Sequence, residues 1–310
     1  MKKISLLVFL LVLVLCLPTF AACGRSKNGG ETNTTEEANT TGETSEAPEE
    51  TTEEELIESK NLEFTPNGDG TCYVSGMGKC TDTHVVIPAV SPDGHSVTGV
   101  GEEAFYDCNS IVRITLPDVV KSIGARAFMY CSKLTRITIP DSVTSIGANA
   151  FMYCSSLTKI TIPYGVSSID DEAFGYCSNL TSITIPESVT SIGVGAFCFC
   201  SSLKNITIPD NVKNIGVRAF TYCSNLTSIT LKNSSKLTGI GEWAFYGCGN
   251  LASVTLPDSI TSIGARAFAY CNGLTNVYYF GTKDEWASIS IGDDNSCLKD
   301  ADIAYNYSEQ

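Results

Sequence analysis

Histidine is scarce in this 310-residue chain: only His84 and His95 are present. That thins out histidine-based catalysis and His-rich metal centres. Basic side chains are also few, 20 against 34 acidic ones, for a formal net charge of −14. A nucleic-acid binder needs a basic footprint to neutralise phosphates, so that class is excluded. The G-x-S-x-G, H-E-x-x-H, phosphate-loop and dinucleotide patterns are all missing, and with them the usual signatures of nucleophile, zinc and phosphate chemistry. No apolar run reaches the ~20 residues of a transmembrane helix. Composition therefore points to a non-enzymatic, acidic protein with no cofactor and no metal. What the chain does have is a 43% hydrophobic share and 14 cysteines. The first is too high for a wholly disordered chain. The second is too low for a small disulfide scaffold.

The N-terminus reads as a targeting segment. Lys2 and Lys3 precede an apolar run over 4–17, broken only by Ser5, and small residues follow at Ala21 and Ala22. This is the pattern of a secretory signal over 1–22. The ending Ala21-Ala22-Cys23-Gly24 resembles the lipobox of bacterial lipoproteins, with Phe20 where an aliphatic residue is usual. That resemblance implies acylation of Cys23 and anchoring to the membrane by lipid alone. Residues 23–60 are rich in Thr and Glu, and only Leu56 and Ile57 are large and apolar. Such a segment cannot offset its ordering entropy by burial, and it reads as an extended acidic tether.

Beyond it the chain repeats. An Ala-Phe pair recurs at Phe105, Phe128, Phe151, Phe174, Phe197, Phe220, Phe245 and Phe268, at intervals of 23 with a single interval of 25. A cysteine follows each Phe by three residues, then L-x-x-I-x-I-P, a turn, and V-x-x-I-G. In Ile137-Thr138-Ile139 alternation puts both isoleucines on one side and Thr138 on the other. Pro140 ends the strand, and Gly147 permits a bend or a close backbone approach. One such unit cannot bury Phe151, Leu157, Ile160 and Ile162 alone; stacked neighbours can.

The pattern A-F-x-x-C-S-x-L-x-x-I-x-I-P-x-S-V-x-x-I-G resembles the BspA-like class of bacterial leucine-rich repeats. The resemblance implies a repeat solenoid of short parallel strands joined by short helical or turn segments, capped at both ends. It divides the chain into an N-terminal cap (61–100), eight repeats (101–280) and a C-terminal cap (281–310), with Trp286 as an apolar plug. It further implies a surface-exposed, adhesin-like protein whose ligand is a protein or glycan on host or neighbouring cells. A structural envelope protein, and a glycan-binding or glycan-cleaving accessory, are the other readings. The two extra residues near Lys232–Ser235 predict a bulged loop at that rung.

Three columns are candidate sites. Outward strand positions place Arg113, Arg136 and Lys159 in one row, beside Thr138, Thr161 and Thr184 in the next. The cations would form a positive strip for an acidic partner or glycan. Two residues after each Phe stand Tyr130, Tyr153, Tyr176, Phe199, Tyr222 and Tyr270, interrupted by Asp107 and Gly247. These rings either shield an edge or anchor a ligand. Asp118, Asp141, Glu187, Asp210 and Asp258 occupy the turns, where an acid commonly accepts from its own backbone. The repeat cysteines are expected as a buried thiol ladder, since each has two equivalent neighbours and no unique partner. Cys72 and Cys80 are open to either a hairpin disulfide or free thiols.

Overall fold

The computed structural model describes residues 57–232 and 234–308. The signal, Cys23 and most of the tether lie outside them. The described chain opens with an antiparallel hairpin, β1 (Glu63–Pro66) and β2 (Thr71–Gly76). Asn67-Gly68-Asp69-Gly70 forms its turn, and the Asp69 carboxylate accepts from the backbone and hydroxyl of Thr71. From β3 (His84–Val86) and β4 (Ser96–Val100) onward, every rung but the last carries two short strands. The next rungs supply β5 (Arg113–Thr115), β6 (Ser122–Ile123) and β7 (Arg136–Thr138). The longer strands make one face, running in parallel from β3 to Asp302–Ala304 in three abutting blocks. The shorter strands make a second face, where β4 and β6 continue the sheet begun by the hairpin.

The strand stack is longer than the Phe-Cys signature. Ten strands lie on the first face, from His84–Val86 to Asp302–Ala304. The end rungs keep the strand and drop the Phe-containing turn, so the sheets continue into both caps.

Register follows the sequence period. Ile114 pairs with Ile137, and Thr115 with Thr138. Most strands of this face bury their central isoleucine or valine, as where Ile137 is buried between exposed Arg136 and Thr138, whereas Ile183 and Ile303 are half-buried. The core is a set of ladders. The eight phenylalanines are fully buried and stack ring on ring at 5.2–5.6 Å. Beside them the thiols from Cys131 to Cys271 each donate to a Phe carbonyl of the preceding rung. Cys177 Sγ, for example, lies 3.2 Å from the oxygen of Phe151. Burial pushes the Cys131, Cys177 and Cys271 thiols up to about 12. Cys72 and Cys80 are both buried and free.

The third side of each rung is not helical. In the segment around each Phe, the residues two before and two after it have left-handed backbone. Only Gly195 and Gly247 among these sixteen positions are glycine; the others include Arg126, Tyr153, Trp243 and Arg266. A left-handed non-glycine costs roughly 1–2 kcal/mol. The hydrogen bonds explain why it persists. Arg126, Phe128 and Tyr130 donate their N–H groups to Ala148, Ala150 and Met152 of the next rung at 2.8–2.9 Å. The intervening Ala127, Met129 and Cys131 donate back within the turn to Gly124, Arg126 and Phe128. The pattern recurs from the Phe105 rung to the Phe245 rung, so the backbone there is over-determined.

The glycine after each short strand has a different role. A Cβ on Gly147 would stand 2.6 Å from the nitrogen of Ala125, and one on Gly216 would stand 2.4 Å from the oxygen of Gly193. These positions need no unusual φ; they let one rung settle on the one before. At the C-terminal end a capping box between Thr282 and Glu285 starts α1 (Lys283–Ser288). Its Trp286 meets Tyr279 edge-on at 5.2 Å and packs on the end of the core. A second short helix, α2 (Ser296–Lys299), follows. Asn295, 1% exposed, accepts from the N–H of Phe268 and donates to Gly264 and Gly292. At the rung with two extra residues, Ser235 N–H closes a turn on the Lys232 carbonyl, and the strands on either side stay in register.

Candidate binding faces of the repeat stack

The face of longer strands brings the sequence-derived residues together. Arg113 lies opposite Arg136, and Lys159 opposite Ser182, in one row across the strands. Thr138, Thr161 and Thr184 are exposed in the adjacent row. His84 heads the cationic row opposite Arg113, with its Nε2 3.1 Å from the Thr115 hydroxyl. Its rung lacks the Phe-Cys signature, so the period alone does not reveal it. Toward the other end the row becomes Asn205, Ser228, Ser253 and Asn276, then Asp302. Charge along this face therefore falls from basic to acidic.

The aromatic column sits on the turn face. Tyr130, Tyr153, Tyr176 and Phe199 stack at 4.3–4.8 Å with interplanar angles of 9–15°. Tyr222 follows at 5.0 Å, tilted by 30°. Where the sequence interrupts the column, the preceding residue supplies a ring. Tyr106 packs edge-on against Tyr130, and Tyr246 bridges Tyr222 and Tyr270. Gly247 makes room for this, because a Cβ there would stand 2.7 Å from the Tyr222 ring. In the stacked part the ring faces cover one another, and the half-exposed surface consists of ring edges and hydroxyls.

Two clusters depart from the repeat. Arg218 and Arg266 lie over opposite neighbours of one rung, both near the Trp243 ring, at 5.8 and 4.9 Å from its centroid. Arg266 also pairs with Asp294 at 2.8 Å. The second cluster is Asp170-Asp171-Glu172, where other rungs carry Gly-Ala-Arg or similar. Its members are satisfied internally. Asp170 accepts from the Ser168 hydroxyl, Asp171 from the N–H of Val194, and Glu172 from the Asn149 amide. Burial raises the Glu172 carboxyl above its ordinary range. Of the turn acids, Glu187 and Asp210 bond across rungs instead of locally: Glu187 accepts from the N–H of Asp210, 3.1 Å away, and Asp210 from the Ser234 hydroxyl. Among the described residues no group of three or more His, Cys, Asp or Glu side chains converges as a metal site would require. No described helix is long and apolar enough to cross a membrane.

A family model for the BspA type leucine rich repeat region, six copies, matches residues 85–204 and 190–285. A leucine-rich repeat protein from Bacteroides ovatus is similar in structure, with a TM-score of 0.50 and 27% identity over 81% of this chain and 78% of its own. The T. pallidum leucine rich repeat protein is 29% identical over 69% of this chain and 88% of its own, with a TM-score of 0.47. No curated protein matches the chain. The 23-residue period, the parallel register and the stacked Phe and Cys ladders agree with the family match: the chain belongs to the BspA type leucine-rich repeat family.

Proposed function

We propose that this chain is a non-enzymatic, surface-displayed binding protein that recognises macromolecules of other cells through its longer-strand face. The observation that carries the reading is the row of exposed, in-register side chains with unpaired cations at Arg113, Arg136 and Lys159. A rigid repeat surface offers many similar contacts, which suits avidity for a polymeric or multivalent partner. Acylation of Cys23, with the acidic tether after it, would hold that surface away from the outer side of the membrane.

The test is binding of the full chain to arrays of matrix proteins, mucins and polysaccharides. Binding that weakens on replacing the three cations by serine is expected. A chain that binds nothing on the arrays is instead a structural envelope component. Labelling of the chain by a fatty-acid probe, abolished in Cys23→Ser, checks the anchor.

A further inference from the structure

The cations on the longer-strand face have no internal partner. Arg113, Arg136 and Lys159 are exposed, and the three ion pairs among the described residues involve only Arg126 and Arg266. Arg113 stands directly opposite Arg136, so like charges recur about 4.8 Å apart along the stack. Such opposed like charges repel. The chain has 34 acidic side chains and sets none of the described ones within ion-pair reach of these three. A repulsive row kept free of carboxylates fits a partner that brings its own negative charges at regular intervals.

The rung of Lys159 departs from its neighbours in a second way. Its turn residue is Tyr164, 72% exposed, where the flanking rungs carry Asp141 and Glu187. That rung thus loses a carboxylate and gains an uncovered aromatic ring. The rings of the turn face are stacked on one another; Tyr164 forms no such pair among the described residues. Thr138, Thr161 and Thr184 add a row of exposed hydroxyls beside the cations. Two surface depressions lie elsewhere, one at Tyr73, Gly101 and Glu102, the other at Asp170, Asp171 and Gly193.

We propose that this part of the face binds an anionic polysaccharide, carboxylated or sulfated, lying along the stacking direction. The proposal rests on the binding reading above and names its partner class. Arg113, Arg136 and Lys159 meet charges that recur along the polymer. The threonines meet its hydroxyls, and Tyr164 offers its ring to the C–H face of a sugar. An acidic peptide would use the cations, but extended peptides draw affinity from strand edges and side-chain pockets, and an isolated exposed ring gives it little.

The experiment titrates the full chain with heparin, polygalacturonate, neutral dextran and poly-glutamate at several salt concentrations. The variants are Tyr164→Ala and the triple Arg113→Ser, Arg136→Ser, Lys159→Ser. All four positions are exposed, and a thermal melt verifies that each variant folds. Heparin or polygalacturonate is expected to bind, and which of them does so identifies the anionic group. Affinity should fall with salt, and by about tenfold or more in the triple variant. Tyr164→Ala should weaken glycan binding about fivefold and leave the salt dependence unchanged; dextran should not bind. Poly-glutamate binding as tightly as either glycan, with Tyr164→Ala silent, overturns the glycan assignment and leaves the face as a protein-binding surface. Glycan binding that survives the triple substitution overturns the location. Failure to bind any polyanion overturns the inference, while the protein and mucin arrays judge the broader reading separately.

Discussion

The rings of Tyr153 and Tyr176 stack 4.3 Å apart with an interplanar angle of 15°, although both residues have left-handed backbone, at φ 61° and 59°. Stacking and backbone strain are thus opposed at the same positions, and substitutions can separate them. Tyr153→Ala removes the ring and keeps the strain. Tyr153→Gly removes both. The glycine variant should therefore be the more stable of the two by about 1 kcal/mol, read from denaturant midpoints. Equal midpoints would mean that the left-handed conformation costs nothing in this turn.

Close rung contact makes a second prediction. Gly147→Ala should cost about 1–3 kcal/mol, because its Cβ would stand 2.6 Å from the backbone nitrogen of Ala125. Gly249→Ala is the control, since no atom lies within 4 Å of its Cβ. It should melt within a degree or so of the parent chain, as surface changes usually do.

The thiol ladder predicts a pH dependence. Burial lifts the Cys131, Cys177 and Cys271 thiols from an ordinary 9.0 to about 12 in the folded chain. Unfolding therefore favours their ionisation, and their contribution to stability is whole below about pH 9. It is lost as pH rises through the range up to about 12. Denaturation midpoints between pH 8 and 11 check this, with Cys177→Ala expected to flatten the decline. At pH 8 a thiol reagent should label the half-exposed Cys108 and Cys297 before any of the ladder.

The unpaired cations predict an effect on stability as well as on binding. Arg136→Ser relieves the repulsion from Arg113 and should stabilise the chain by roughly 0.2–1 kcal/mol at low salt. The gain should shrink at high salt, where exposed charges are screened. A loss of stability at both salt concentrations would show that the arginine stem contributes more by packing than its charge costs.

The strands, their register and the core were legible because each rests on a side-chain period. Phe128 and Phe151 recur at one place in each unit, and identical places stack. The candidate row of Arg113, Arg136 and Lys159 was legible for the same reason. The left-handed turns were not, because Arg126, Tyr153 and Trp243 occupy positions where glycine would have announced them. Their conformation is imposed by bonds between rungs, which a single unit does not contain. The Trp243 cluster, the closing of the aromatic column by Tyr106 and Tyr246, and the cap made by Asn295 all occur where the repeat breaks. Periodic reading passes over such places. Cys72 and Cys80 were undecided by spacing because a pair in a small cap fits two chemistries; burial as free thiols is the outcome.

The turn face has an electrical consequence. The peptide units that join Ala125 to Arg126, Ala127 to Phe128 and Met129 to Tyr130 all point their N–H groups toward the C-terminal rungs. The rungs up to that of Phe245 repeat that direction, so three rows of peptide dipoles align along the turn face. An α-helix gathers positive charge at its N-terminus from such alignment. Here the alignment is confined to the turn face, where the last donors meet the carbonyl of Asp293 and the side chain of Asn295, while rows on the other sides, such as Thr144 to Lys121 and Gly147 to Ile123, point the opposite way. Beside them the Asp294 carboxylate pairs with the Arg266 guanidinium, 2.8 Å away. The closing module therefore satisfies the last outward N–H groups of the turn face as well as covering the apolar core.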